Sequence, residues 1–441
     1  MTATTTHPRQ PRGGPTDPAH DVDLRRGILK TAVSRPIARA LVAAFVLIIA
    51  AVPIGQTVRD AVAGDDFVLR DLFRRAPTRD NIKQVEQDLE NASTVRALVR
   101  PRMQALLTRW GRFGNSKAVV GRDGWLFYGP GVTAVGGPGF LDPGVQRTRQ
   151  KAALDAGDPA LFPDPRPAIL DLARFLAGRG IALVVLPVPD KAGLQPSQLH
   201  GRGGAGAREP ARNPDSDRLV GELRAAGVLV FDPSPDRLVP GETPRFLVQD
   251  THWTPAWMRA VADQLARLLV ERTKLPALQP RIWRTRPRAV ARVGDVTDML
   301  GLPDGQTLFA PEAVTVLEVR DEQDRLFEPS AGADVLLLGD SFTNVFSLEP
   351  MGWGEGAGFG AHLAAALGRD LDVLAQNDSG AFATRQLLWN ALAGGEDRLK
   401  GKRVVVWEFA SRELAVGNWK PLDWSHAWSA AGAPPPAEAG R

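Results

Sequence analysis

The chain has 441 residues, 44% hydrophobic and 24% charged, enough for one large domain or two ordinary ones with a sizeable core. The formal net charge is +4 and no run of Lys or Arg reads as a nucleic-acid arm, so a nucleic-acid partner is not expected. The absence of cysteine excludes disulfides, thiol nucleophiles and Cys-ligated metals, and it suits an oxidising compartment.

Residues 1–35 are polar, carry Pro8, Pro11, Pro15 and Pro18, and predict a disordered leader. From Ala40 to Val58 no residue is charged. Such a run, at about 1.5 Å per residue, is just long enough for a bilayer core of about 30 Å, which predicts a transmembrane signal anchor over 36–58. Arg25, Arg26, Lys30, Arg35 and Arg39 precede it. By the positive-inside rule the leader then stays in the cytoplasm, the anchor sits in the inner membrane, and the rest lies in the periplasm. A cleaved signal peptide and a buried core helix are the competing readings, and the Arg25-Arg26 pair also fits a twin-arginine export signal.

Residues 59–114 mix charge and apolar side chains at helical spacing and predict a stalk of one or two helices. Val119–Tyr128, with Asp123-Gly124 between apolar runs, predicts a β-hairpin. Residues 130–165, rich in Gly, Pro and Asp, predict loop with a helix near 145–155. Helical and strand patterns then alternate. Helices are expected at 168–177, 219–226, 255–272, 361–367 and 384–392, the third opened by Thr254 and Pro255. Strands are expected at 181–187, 228–231, 335–339, 371–375 and 403–407, and the Phe246-Leu-Val run also reads as extended. Fully apolar strands alternating with helices predict an α/β domain over 115–428, a mostly parallel sheet covered on both faces. Residues 429–441 read as a frayed tail.

Open parallel sheets place their sites at the carboxyl ends of strands. Gly339-Asp340-Ser341-Phe342 follows the strand 335–339 directly. A serine at a sharp strand-to-helix turn combines an exposed Oγ with free backbone N–H groups, as an acyl-transfer nucleophile requires. Asp250-Thr251-His252-Trp253 precedes the helix at Pro255. Residues two apart in an extended segment share a face, so a modest bend brings Asp250 against His252. Each motif alone reads equally as a polar turn or a helix cap. Together they predict a Ser341–His252–Asp250 triad, because His252 alone among six histidines stands beside a carboxylate at such a position. No second histidine has ligand spacing to it, so neither a metal nor another cofactor is expected.

Several of these stretches resemble the alginate O-acetyltransferase family, AlgJ and AlgX, whose domain is like the SGNH hydrolases. They are Gly121–Phe127, Val188–Lys191, Asp250–Trp253, Gly339–Phe342 and Trp407–Leu414. The Asp-x-His-Trp before Gly-Asp-Ser reverses the order of ordinary SGNH hydrolases. The resemblance implies a three-layer α/β/α fold. It makes Ser341 the acetylated nucleophile, His252 the base and then the acid, and Asp250 the residue that orients it. Oxyanion donors would be the Ser341 N–H and the Asn377–Gly380 loop, Gly380 included, with Asn344 within reach. Arg412, Lys191 and Asp190 would bind substrate or line the site. Trp253, Trp257 and Trp353 would offer sugar-stacking faces. The implied acceptor is an exopolysaccharide hydroxyl, and the implied acetyl donor is a membrane-bound O-acyltransferase. No stretch that would form an AlgX-type carbohydrate-binding module follows the domain, so the architecture is expected to be closer to AlgJ. An esterase with water as acceptor and a non-catalytic subunit of a secretion complex fit the same residues.

Overall fold

The computed structural model describes residues 34–64, 74, 76–158, 160–200, 210–233, 244–377 and 380–430. Almost all of the expected leader, the Arg25-Arg26 pair, the tail beyond Ala430, and Asp378 and Ser379 lie outside these residues. The chain divides into two units, residues 1–100 and 101–441.

In the first unit, α1 (Arg35–Ala63) starts with proline in its first turn and ends at Gly64, which takes φ 76°. Its 29 residues, about 44 Å at helical rise, include the predicted apolar run and are long and apolar enough to cross a membrane. Helix α2 (Arg79–Ala92) is capped by Thr78, whose side chain accepts from the Asn81 N–H. Helix α3 (Thr94–Gly111) begins in the first unit and continues, from Pro101, into the second.

After α3 the second unit continues with the predicted hairpin, β1 (Ala118–Val120) antiparallel to β2 (Leu126–Tyr128), turned at Asp123 and Gly124, both with positive φ. Helix α4 (Gly129–Gly136) forms where loop was expected. Pro130 sits in its first turn, and Gly131 packs against the Asp190 side chain. Then follow α5 (Pro143–Asp155), α6 (Pro165–Ala177), β3 (Ala182–Val188), α7 (Lys191–Leu194), α8 (Ser216–Ala225), β4 (Leu229–Val230) and α9 (Pro255–Arg272). The chain continues with β5 (Arg284–Arg292), α10 (Asp295–Leu300), β6 (Glu312–Arg320), β7 (Val335–Gly339), α11 (Ser341–Asn344), α12 (Phe359–Leu367) and β8 (Asp372–Ala375). The last elements are α13 (Gly380–Ala393), β9 (Val404–Ala410), α14 (Arg412–Val416) and α15 (Trp424–Ala430).

The central sheet runs β4-β3-β9-β7-β8 and every pairing in it is parallel. Alternate residues divide into two cores, as a pleated sheet covered on both sides demands. Val184, Leu186, Leu337, Val404 and Val406 join α9 and α12 on one face. Leu183, Val185, Leu336, Leu338, Val405 and Trp407 join α6, α8 and α13 on the other. All five residues of β7 are buried, and each leucine there contributes roughly 1.5–3 kcal/mol of burial.

Two departures bear on the site. Phe246–Val248 is no strand but makes one antiparallel bridge, Phe246 to Trp253. The antiparallel ribbon β5–β6 was not foreseen, because β5 reads Arg-Thr-Arg-Pro-Arg and is almost wholly exposed. It has no buried face to impose an alternating pattern.

Candidate active site

The sheet brings its functional residues to one edge, the carboxyl ends of β3, β9 and β7. Asp190 and Lys191 follow β3, Asp340 and Ser341 follow β7, and Ser411 and Arg412 follow β9.

Ser341 opens α11 and is partly exposed. Asp340, just before it, is buried and fixes the turn. Its Oδ1 accepts from the Phe342 N–H at 2.8 Å and its Oδ2 from the Ala410 N–H at 2.8 Å. Glu408, on β9 and fully buried, lies beneath. Its Oε2 accepts from the Asp340 N–H at 3.1 Å and from Thr343 Oγ1 at 2.7 Å. Burial, and then the adjacent Asp340, pushes the Glu408 carboxyl well above the usual carboxylate range, which favours its protonated form. As the first residue of a helix, Ser341 has no intrahelical acceptor for its own N–H.

His252 Nε2 lies 2.8 Å from Ser341 Oγ, and His252 Nδ1 lies 2.6 Å from Asp250 Oδ1. The expected contact between Asp250 and His252 is therefore made, but through a turn and not an extended face. Asp250 Oδ1 also accepts from the His252 backbone N–H at 3.1 Å, an Asx-type closure. Its Oδ2 accepts from Trp353 Nε1 at 2.9 Å and from the Asp295 N–H at 3.1 Å. Burial alone would raise the Asp250 carboxyl. The adjacent His252 and these donors outweigh it and hold the group below the usual carboxylate range. Burial lowers the His252 imidazolium, while Asp250 and then Asp295 raise it, and the net shift is upward.

Asp295 and Gly294 escaped the sequence reading, and Trp353 was expected only as a sugar-stacking face. Asp295 Oδ1 accepts from the Thr251 N–H at 2.7 Å and from Thr251 Oγ1 at 3.1 Å, and its Oδ2 stands 4.0 Å from His252 Nδ1. Burial, and next the charge of Asp250, lifts Asp295 to about 6. Gly294 makes this approach feasible, since a Cβ there would lie 2.3 Å from the Gln249 carbonyl oxygen and 2.6 Å from the Asp250 nitrogen. The Gly-Asp at 294–295 just before a short helix was the one available signal. Asp250, His252 and Asp295 bring one possible metal-ligand atom each to within 4.8 Å of one another. Both imidazole nitrogens are already engaged, Nδ1 by Asp250 and Nε2 by Ser341.

The other expected residues fall into distinct places. Lys191 is buried beneath the loop. Its Nζ donates to the carbonyls of Leu126 at 2.5 Å, Val248 at 2.9 Å and Asp250 at 3.0 Å. That uses all three donors of an ammonium, so Lys191 holds the His252 loop and has no donor left for a substrate. Burial pushes Lys191 down to about 7, against the pull of Asp250, Asp295 and Glu312. Asp190 accepts from Ser411 Oγ at 2.7 Å and lies 3.7 Å from Arg412. Burial, opposed first by Arg412, lifts it to about 6. Arg412 stacks over the rings of Tyr128 and Phe342, with centroid distances of 5.1 and 5.7 Å. Asn344 Nδ2 donates to Asn377 Oδ1 at 2.8 Å, which places the two amides together beside Ser341.

One expectation needs correction, and one position has a neighbour the sequence did not show. Gly380, expected as an oxyanion donor position, has φ 50°, and a Cβ on it would lie 1.9 Å from Glu413 Oε2. The tryptophans offer no stacking face, for Trp253, Trp257 and Trp353 are 0, 2 and 1% exposed. Trp253 instead donates its indole N–H to the Phe342 carbonyl at 3.1 Å and joins the histidine loop to the serine turn.

The family model described as the SGNH hydrolase-like domain of the acetyltransferase AlgX matches residues 118–411, which span the hairpin, the whole sheet and the site. The chain belongs to this acetyltransferase family. Its fold is the α/β, SGNH-like one, with the mostly parallel sheet described above. Among named relatives, the "Probable alginate O-acetylase AlgJ" of Pseudomonas fluorescens is 27% identical over 317 residues, 69% of this chain and 70% of the relative. That of Pseudomonas aeruginosa is 27% identical over 326 residues, 69% of this chain and 72% of the relative. The solved O-acetyltransferase domain of Pseudomonas putida AlgJ is 23% identical, with a TM-score of 0.49 over 70% of this chain and 94% of that one. Pseudomonas aeruginosa AlgX is 18% identical, with a TM-score of 0.49 over 73% of this chain and 67% of that one.

Proposed function

We propose that this family member is an O-acetyltransferase anchored in the inner membrane by α1, with its second unit in the periplasm, and that it carries acetyl groups to an exopolysaccharide through acetyl-Ser341. The observation that carries the reading is the unbroken chain Ser341 Oγ–His252 Nε2 at 2.8 Å and His252 Nδ1–Asp250 Oδ1 at 2.6 Å at the carboxyl edge of the sheet. The names of the relatives, alginate O-acetylases, support a polysaccharide acceptor.

In the first half-reaction Ser341 Oγ attacks the acetyl carbonyl of the donor, and its proton passes to His252 Nε2. The negative charge of the tetrahedral intermediate falls to the Ser341 N–H and the Asn344 amide, donors of about 3 kcal/mol each where they reach it. The donor leaves with the proton from His252. A sugar hydroxyl then attacks acetyl-Ser341, giving its proton to His252, which returns it to Ser341 Oγ. Asp250 stabilises the imidazolium in both halves. Arg412, held over Tyr128 and Phe342, is the cation placed to orient the incoming group. Acetyl-CoA does not cross the membrane, so the donor is a partner that hands acetyl across it, a membrane-bound O-acyltransferase.

The full chain, given a p-nitrophenyl acetate donor and an oligouronate acceptor, is expected to yield an acetylated Ser341 peptide and acetylated sugar by mass spectrometry. Ser341→Ala should remove both, with a fall of about 10⁴-fold or more. Acetate without acetylated sugar would make the chain an esterase. Unchanged polymer acetylation in Ser341→Ala cells would make it a non-catalytic subunit.

A further inference from the structure

Helix α3 is inside out. The only buried residue in its span is Thr108, whose Oγ1 donates to the Phe113 carbonyl at 2.9 Å, and Gln104 Nε2 donates to the same carbonyl at 3.0 Å. Its inward side is thus polar. Met103, Leu106 and Trp110, spaced three and four apart, form an outward stripe that Leu107 and Phe113 extend. Trp110 is 80% exposed and Phe113 61%. Leu106, Arg109 and Trp110 also wall a groove against the segment from Pro303 to Leu308. Soluble proteins seldom leave such a stripe uncovered unless it meets a partner surface.

Charge identifies the partner. Five arginines lie between Arg96 and Arg112, and the chain has no Asp or Glu from Asn91 to Arg122. A helix with Trp, Phe and Leu on one stripe and arginines beside it matches what lies in the interfacial plane of an anionic bilayer. We propose that the outward face of α3, from Met103 to Phe113, docks on the anionic lipid surface of the membrane and holds the catalytic unit down on it. This rests on the anchored reading of α1, because the anchor supplies the high local concentration of lipid. Asp304 is the one acidic residue lining that groove, and a protein partner would account for the apolar stripe but not for a run of five arginines with no Asp or Glu along the segment itself.

The test uses the full chain, which has no native cysteine. Leu106→Cys, labelled with an environment-sensitive fluorophore, is reconstituted into vesicles of phosphatidylethanolamine and phosphatidylglycerol, or of phosphatidylcholine alone. Lys151→Cys on α5 is the reference. Co-flotation with vesicles reads the anchor separately, so failure of α1 to insert and failure of α3 to dock are distinguishable. The expected result is a blue-shifted label at 106, quenched by spin-labelled lipid headgroups, in anionic vesicles only, while the label at 151 stays aqueous. The signal should weaken above about 0.15 M salt, where the screening length falls below about 8 Å. It should also be lost in Arg109→Glu and Trp110→Asp. A label at 106 that stays aqueous in chains that float overturns the proposal. So does a lipid-independent shift accompanied by disulfide cross-linking between two 106 cysteines, which would assign the face to a second copy.

Discussion

The two halves of the site are built differently. The serine turn grows out of β7, whose neighbours β8 and β9 place it by ladder hydrogen bonds, and Asp340 and Glu408 finish it from below. The histidine loop has no ladder. Its one bridge is Phe246 to Trp253, and its position comes from side chains far away in sequence: Lys191, Asp295, Glu312 and Trp353. A strand-end nucleophile inherits its rigidity from the sheet. A loop-borne base has to be cross-braced by buried polar groups, each of which is expensive to leave unpaired. The two halves should therefore fail differently when altered.

The largest effect outside the triad is expected at Lys191. Lys191→Met strands the carbonyls of Leu126 and Asp250, leaves that of Val248 with only the Leu126 N–H, and should destabilise the second unit by about 3 kcal/mol or more in urea unfolding. Trp353→Phe keeps the ring but removes one donor to the Asp250 carboxylate. A hydrogen bond to a charged group contributes about 1.5–3 kcal/mol, so kcat should fall roughly ten-fold or more while the unfolding midpoint moves little. A large loss of stability with normal kcat would show that the indole packs and does not orient.

Asp295→Asn should change the pH dependence more than the maximum rate. Asp250 and Asp295 favour the His252 imidazolium and Arg412 opposes it, with Lys191 and Glu312 beyond the loop. Removing the Asp295 charge lowers the pKa of His252. The neutral imidazole is the base, so the acid limb of kcat/KM should shift to lower pH, and an unmoved limb would remove Asp295 from the electrostatics. The smallest effect is expected on the ladder-held side. Burial and Asp340 favour the protonated Glu408 carboxyl, and Glu408→Gln keeps its shape, so acetyl transfer should change little between pH 6 and 8. A collapse of activity would mean that the turn needs the proton of Glu408 itself.

Much of this was legible because local chemistry and tertiary structure agree. Helix α9 begins at Pro255 behind the Thr254 cap and ends at Arg272, as its pattern predicts. Strand β7 reads Val-Leu-Leu-Leu-Gly and is buried throughout. The meeting of Ser341, His252 and Asp250 was legible for the same reason: a serine after a buried strand, and Asp250 two residues before His252, are short-range signals.

The rest depended on distance. Trp353 was read as a sugar platform because sequence records an aromatic ring but not its burial, and only packing against Asp250 makes it an orienting donor. Asp295 and Gly294 carry no motif of their own and matter because the chain returns to the Gln249–Asp250 backbone. Lys191 follows a strand end, as a substrate-binding cation would, yet three carbonyls, one on β2 and two on the histidine loop, accept its hydrogen bonds. Helix α3 was read as a stalk from its spacing, and only the fold shows that its polar side faces in. The sequence by itself determined the sheet and pointed to the Ser341, His252 and Asp250 that meet at its carboxyl edge, since burial periodicity and turn chemistry act over a few residues. Tertiary structure alone decided what braces the histidine and which apolar faces stay uncovered, because those are properties of segments that meet only after the chain has folded.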